Sequence, residues 1–266
     1  ESDLSRRLFA LNLHGLSFRE YLSFRHNMDF PSYSLNELLE NGREISTKIA
    51  NKIKPLLLFR EYLREGYFPF INDNEPSQLP QRLLHVINTV LESDLAFVKD
   101  YSASNIITIK KLLGVLAASA SFTVNITKVA AKLGIGRNTV LSYLKHLDDA
   151  YVLNLLNRAG KGVSLLQKPD KVYFENTCFT FAFQENPGIG SLRETFFFNQ
   201  LKNTGYQVLL PPKGDAIINE RFIFEIGGKN KNSTQIKGLK DAWLAVDDIE
   251  IAHANKIPLW LFGFLY

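Results

Sequence analysis

Disulfide chemistry is excluded at the outset, because the 266-residue sequence has one cysteine, Cys178, and so no internal partner for it. A lone cysteine fits a reducing compartment, and the cytoplasm is the expected location. Long apolar runs are also missing. The longest, Leu112 to Phe122, is well short of the roughly 20 residues needed to cross a bilayer and is rich in Ala and Ser. It reads as a core helix, and no membrane partner is expected. The five histidines (His14, His26, His85, His146 and His253) are scattered without metal-ligand spacing, which argues against a zinc site. No G-x-x-x-x-G-K-[ST] loop occurs, so this chain alone is not expected to hydrolyse ATP or to hold a cofactor of its own. The first residue is Glu1 and the only methionine is Met28, which leads us to expect a piece of a longer protein.

What is present is ordinary globular material, 45% hydrophobic and 22% charged, which excludes a disordered chain. The net charge of +4 permits a nucleic-acid partner without announcing one. Its distribution says more. Between Ile106 and Lys171 stand ten Lys and Arg against three acids, Asp148, Asp149 and Asp170.

The pattern reads as α+β and multi-domain, with boundaries expected at 1–34, 35–100, 101–166 and 167–266. Phe9, Leu11, Leu13 and Leu16 read as the end of a strand. Ser17 with Glu20 makes a capping box that starts a helix. Residues 35–100 read as a helical lid, with Pro55 dividing one long periodic stretch. Val124–Leu133, the turn Gly134-Ile135-Gly136 and Arg137–Ala150 form a helix-turn-helix. Tyr151–Leu156 and Val163–Leu166 then read as the two strands of a wing.

The second helix offers Arg137, Asn138, Thr139, Ser142, Tyr143, Lys145 and His146 as the exposed, DNA-facing set, with Arg158 and Lys161 at the wing tip. The same layout serves equally as a packing or dimerisation module.

From 167 onward the texture is α/β. Val172–Phe174, Tyr206–Leu210, Ala216–Ile218, Phe222–Ile226, Ala242–Val246 and Pro258–Phe262 are strand-like, and Gly190–Leu201 is a helix. Glu194 on that helix, Asp215 before one strand and Glu225 at the end of the next follow the order of a Mg²⁺-dependent nuclease of the restriction-endonuclease fold. In such a site carboxylates hold the metal and a lysine orients the water. Here Asp215 and Glu225 would be the metal ligands. Gly227 occupies the usual lysine position. Lys229 or Lys231 could swing in from the following turn, and Lys229 is taken as the site residue. A degenerate, inactive site is favoured over cleavage.

Six segments stand in a specific order: Asp3–Arg7, Gly15–Leu22, Gly66-Tyr67-Phe68-Pro69, Leu166–Phe174, Phe224–Lys231 and Asn255–Leu261. Together they resemble the C-terminal region of a bacterial and archaeal AAA+ ATPase family, ATP-binding proteins that carry a C-terminal domain of unknown function. The resemblance implies a P-loop module before Glu1, with ATP and Mg²⁺ as that parent's cofactors. It implies nucleotide sensing by Arg6 or Arg7, and a restriction-endonuclease-like fold for the C-terminal domain. Expected partners are DNA, the parent's own ATPase module, and a second copy or another protein. Three functions follow: a non-catalytic DNA-associated regulatory region, an active nuclease, or a protein-interaction module.

Overall fold

The computed structural model describes residues 12–70, 78–119, 123–160 and 168–266. Two large hydrophobic cores organise them, with a small third cluster around Ile236, Leu244 and Val246. The first is built on a mixed five-stranded sheet of β3 (Val208–Leu209), β4 (Ala216–Ile218), β5 (Phe222–Gly227), β6 (Ala242–Val246) and β7 (Lys256–Pro258), in that spatial order. β3, β4 and β5 are antiparallel neighbours, whereas β5–β6 and β6–β7 are parallel.

On one face lies α10 (Ile189–Asn203), whose Phe197 meets Phe224 of β5 and Phe262 beyond β7. Three helices close the same core: α1 (Phe18–His26), α2 (Leu35–Ala50) and α3 (Pro55–Glu65). α1 begins where expected. Ser17 Oγ accepts from Glu20 N–H and the Glu20 carboxylate accepts from Ser17 N–H, so two orphan donors are satisfied. Ser34 and Glu37 repeat the device at α2, and Pro55 opens α3 at a position where no helical N–H is needed.

The second core is helical. α4 (Leu79–Thr89) runs through a π-helical turn, Val90–Leu95, into α5 (Ala96–Lys99). It packs with α6 (Ala103–Ala117), α7 (Ile126–Leu133), α8 (Arg137–Asp149) and α9 (Thr177–Phe183). α7 ends on Gly134 at φ 67°, a left-handed conformation that glycine adopts without penalty, and α8 starts after Gly136. Cys178 on α9 is fully buried as a small hydrophobe, and burial pushes its thiol up to about 12.

Four sequence expectations are corrected. The strand Val172–Phe174 does not join the five-stranded sheet. As β2 (Lys171–Phe174) it pairs antiparallel with β1 (Leu153–Leu156), Leu153 opposite Phe174. Leu153, Val172 and Phe174 pack into the helical core, whereas Leu156 and Tyr173 pack into the first core, so the ribbon lies between the two. The expected return strand 163–166 lies outside the described residues. The run Pro258–Phe262 is mainly a 3₁₀ helix, Leu259–Phe264, because a short run buried on all sides has no periodicity to distinguish strand from helix. Leu13 and Leu16 are in no strand. Finally, α2 and α3 belong with the sheet and α4 with the second core, so residues 35–100 are shared between two bodies rather than forming one lid.

Polar side chains of α10 join the two cores. Asn199 Nδ2 donates to the Glu175 carbonyl at 2.9 Å and to the hydroxyl of Tyr67, a residue of the second core, at 3.3 Å.

Candidate functional site

The parallel pair β5–β6 ends beside a group of charged side chains. In the antiparallel register of β4 and β5, Ala216 faces Phe224, which sets Asp215 opposite Glu225. Asp215 N–H donates to the Phe224 carbonyl, and its own carboxylate accepts from Ile226 N–H at 2.8 Å. Glu225 is 1% exposed, and Lys231 Nζ stands 2.6 Å from its Oε1. A buried carboxylate needs such a counter-ion.

Gly227 makes the contact sterically feasible. A Cβ at this position would lie 2.6 Å from Lys231 Cγ and Cδ, so the lysine stem occupies the space a side chain would fill. Lys229, the expected substitute, is exposed on the turn, and no ion pair joins it to Glu225 among the described residues. The lysine that pairs with Glu225 is therefore Lys231, and the Gly-Gly pair before it leaves room for its stem.

Glu194 is engaged elsewhere. Its Oε2 accepts from Lys171 Nζ at 2.9 Å and from the Tyr173 hydroxyl, both on β2. Burial, then the Glu194 charge, pushes the Tyr173 phenol far above its ordinary range, so it remains a donor. Arg193, one residue earlier, was not singled out from sequence. It donates to Asp247 at 2.8 Å and to Asp248 at 3.3 Å, just past β6. Gly228 leaves room for its guanidinium, 3.0 Å from where a Cβ would stand. Arg60 of α3 also reaches Asp248, at 3.0 Å.

The expected Mg²⁺ ion does not fit these side chains as they stand. Asp215 Oδ2 accepts from a backbone amide, Glu225 Oε1 faces Lys231 while its Oε2 has no hydrogen-bond partner, and Glu194 is held by β2. Among the described residues, no three His, Cys, Asp or Glu groups converge at metal-binding distance.

The α8 residues divide sharply. Arg137 and Asn138 are exposed on its first turn, while Thr139 and Ser142 are half-buried. Tyr143 was expected on the exposed face. It is 3% exposed and part of the helical core, and its hydroxyl accepts from Asn105 Nδ2 at 2.9 Å, so it is removed from the DNA-facing set. The helical periodicity that places Val140, Leu144 and Leu147 inside carries Tyr143 with them.

Lys145 is paired with Asp149 and, at 3.6 Å, with Asp148; the Asp149 hydrogen bond raises its amine. His146 shares a hydrogen bond with the Tyr101 hydroxyl. Burial, then Lys99, lowers the His146 imidazole, so the ring is neutral near pH 7. Arg158 is exposed and pairs with Asp170 at 3.5 Å. On α7, Lys128 and Lys132 are exposed. Lys161, Arg6 and Arg7 lie outside the described residues.

A second polar centre escaped sequence analysis. Glu175, 1% exposed, follows β2 directly, and burial lifts its carboxyl to about 7 despite Lys202 at 3.9 Å. The signal was an acid flanked by the apolar run Val172–Phe174 and by Cys178-Phe179.

Residues 56–184 match a family model described as a domain of unknown function (DUF8612). The match runs from α3 through α9 and so contains nearly all of the helical core. Two proteins of Methanocaldococcus jannaschii are similar over longer stretches. Uncharacterized protein MJ1637 is 23% identical over 255 residues, 88% of this chain and 54% of its own length. Uncharacterized protein MJ1544 is 24% identical over 197 residues, 72% of this chain and 41% of its own length. The relatives are archaeal and distant. The chain spans about half the length of these curated proteins, and no solved structure matches it. No helix among the described residues is long and apolar enough to cross a membrane.

Proposed function

We propose that this chain is a DNA-associated regulatory and oligomerisation region of a larger AAA+-type ATPase. In this reading α6–α8 with β1 and β2 form a winged helix-turn-helix, and the five-stranded sheet with α10 is a nuclease-like domain that does not cleave. The observation that carries it is the exposed first turn of α8. Arg137 and Asn138 project there, Lys128 and Lys132 are exposed on the preceding helix, and none of the three cations takes an ion pair among the described residues. Free cations at a helix N-terminus suit phosphate, and a basic face without carboxylate partners is available to it.

The ATPase half rests on the sequence resemblance alone, and nucleotide sensing by Arg6 or Arg7 belongs to that half. Fluorescence-anisotropy titration of labelled duplex DNA tests the DNA half. With three phosphate contacts, affinity should fall roughly 40-fold between about 50 and about 200 mM salt. No binding at the lower salt would remove it.

One observation favours a second reading, Mg²⁺-dependent cleavage of nucleic acid. Lys231 reaches Glu225 across Gly227, with Asp215 on the facing strand, so the three residue types of such a site lie side by side. Against it stands the engagement of Glu194 by β2. Incubation of DNA and of RNA with Mg²⁺ or Mn²⁺ decides the matter. Cleavage that disappears in Glu225→Gln supports the reading, and intact substrate rejects it.

A further inference from the structure

β5 and β6 run parallel, so the connection between them, residues 228–241, has to return the length of the pair. Five paired residues make that distance roughly 17 Å. The connection crosses the face of the sheet opposite α10. Its Ile236 and Leu239 pack on Ile223, Leu244 and Val246, which alternate along the strands with the side chains that face α10. It is also held in one shape by its own hydrogen bonds. Lys231 N–H donates to the Gly228 carbonyl at 2.8 Å, the Thr234 hydroxyl to Asn232 Oδ1 at 2.8 Å, and Leu239 N–H to the Ile236 carbonyl at 3.1 Å.

Along this path stand Lys229, Lys237 and Lys240. Lys213 comes alongside, because a Cβ on its neighbour Gly214 would lie 3.3 Å from Ile236 Cγ2, next to Lys237. All four lysines are exposed, and none takes an ion pair among the described residues. The acids close by are already engaged. Glu225 faces Lys231, Asp241 pairs with Arg221 at 3.4 Å, and Asp215 accepts from Ile226 N–H. Between 211 and 241 only Glu220 is an exposed acid, and it sits in the β4–β5 turn. A row of uncompensated cations attracts a chain of anions.

The side chains among the lysines narrow the partner. Asn230, Asn232, Thr234 and Gln235 are exposed polar groups, of the kind that contact phosphate and sugar. No large apolar side chain is exposed between 228 and 241 among the described residues, so nothing here enters a bilayer as a membrane-binding surface requires. Length agrees, since about 17 Å spans about five phosphates along one duplex strand.

We propose that the β5–β6 connection is a second nucleic-acid surface, on which Lys213, Lys229, Lys237 and Lys240 hold the phosphates of duplex DNA without reading its sequence. It deepens the DNA-associated reading but stands on residues that α8 does not share.

Anisotropy titration of labelled duplex DNA across a range of salt tests it with three proteins. They are wild type, a variant carrying Lys213→Gln, Lys229→Gln, Lys237→Gln and Lys240→Gln, and a variant carrying Lys128→Gln, Lys132→Gln and Arg137→Gln. Each phosphate contact contributes about 0.9 to the slope of log affinity against log salt, so the four lysines should add about 3–4 units to that of α8. Their variant should lose this share and bind at least about tenfold weaker at about 50 mM salt, on duplexes of unrelated sequence alike. Its melting temperature should hold, because exposed side chains without partners contribute little to stability. The α8 variant should still bind, with a slope of about −3 to −4.

A four-lysine variant with wild-type affinity and slope overturns the inference, even where the α8 variant is weakened. Loss in the four-lysine variant alone upholds it and rejects the α8 surface instead. An α8 variant that no longer binds, or a wild type that binds no DNA at low salt, also overturns it. Sedimentation with phosphatidylserine–phosphatidylcholine vesicles completes the test, and binding to vesicles but not to DNA counts against it.

Discussion

Gly227→Ala is the sharpest probe of the C-terminal end of β5. In a strand interior alanine is ordinarily better than glycine by about 0.5–1 kcal/mol, so a purely local view expects stabilisation. The structure expects the reverse. The new methyl would stand 2.6 Å from Lys231 Cγ and Cδ and 2.8 Å from its Cβ. Because the stem is blocked from its first carbon, no rotamer clears the contact, and Nζ must leave Glu225. That carboxylate is 1% exposed and would lose its counter-ion. Breaking a buried pair from one side costs about 3–5 kcal/mol, and the 30% exposure of Lys231 places the loss at the low end, about 3 kcal/mol.

A double-mutant cycle isolates the cause. Lys231→Gly removes every contacting atom, so Gly227→Ala in that background should cost less than about 1 kcal/mol. Urea unfolding of the four proteins measures the difference. Equal costs in both backgrounds would show that Gly227 serves something other than the lysine, and the described link between Gly227 and Glu225 would be lost.

Three further outcomes follow from the same physics. Glu175 is raised from 4.5 to about 7, so the folded state keeps a proton that the unfolded state has lost between those values. Stability therefore falls as pH rises through that window, by at most about 3 kcal/mol. Glu175→Gln should abolish the slope, gaining stability over wild type near pH 8 but not near pH 4, and parallel urea midpoints across pH would contradict this. Tyr143→Ala should cost about 3–5 kcal/mol by emptying a core site, which thermal unfolding would show; a loss under about 1 kcal/mol would return Tyr143 to the surface. Ser17→Ala removes the capping box of α1 and a hydrogen bond to the Tyr266 carbonyl at 2.9 Å. It should cost about 1–2 kcal/mol in a urea titration, and an unchanged midpoint would show the cap to be idle.

How far the sequence was legible depends on whether each feature is local. Ser17, Pro55, Gly134 and Gly136 act on their own neighbours, and the helix starts and stops they specify are where the sequence places them. The strands β4, β5 and β6 carry their own bounding turns and were likewise readable. What failed was pairing. Nothing in Val172-Tyr173-Phe174 states that its partner is β1, about twenty residues earlier, rather than the sheet that follows. Tyr143 was misplaced because its hydroxyl made it look like a surface residue, although its partner Asn105 lies on another helix.

At the C-terminal end of β5, the acids and the glycine in place of a lysine are visible in sequence. The choice of Lys231 over Lys229 depends on the turn geometry after Gly228, which spacing does not encode. Arg193 and Glu175 went unseen because their roles arise only where distant elements meet.

The most direct test of the α8 surface is the salt dependence of duplex binding by Arg137→Ala beside wild type. If Arg137 neutralises a phosphate, the slope of log affinity against log salt should become shallower by about one unit, while the fold is unchanged. A variant that binds with the wild-type slope, or a wild-type protein whose binding ignores salt, would contradict the assignment of this face to DNA.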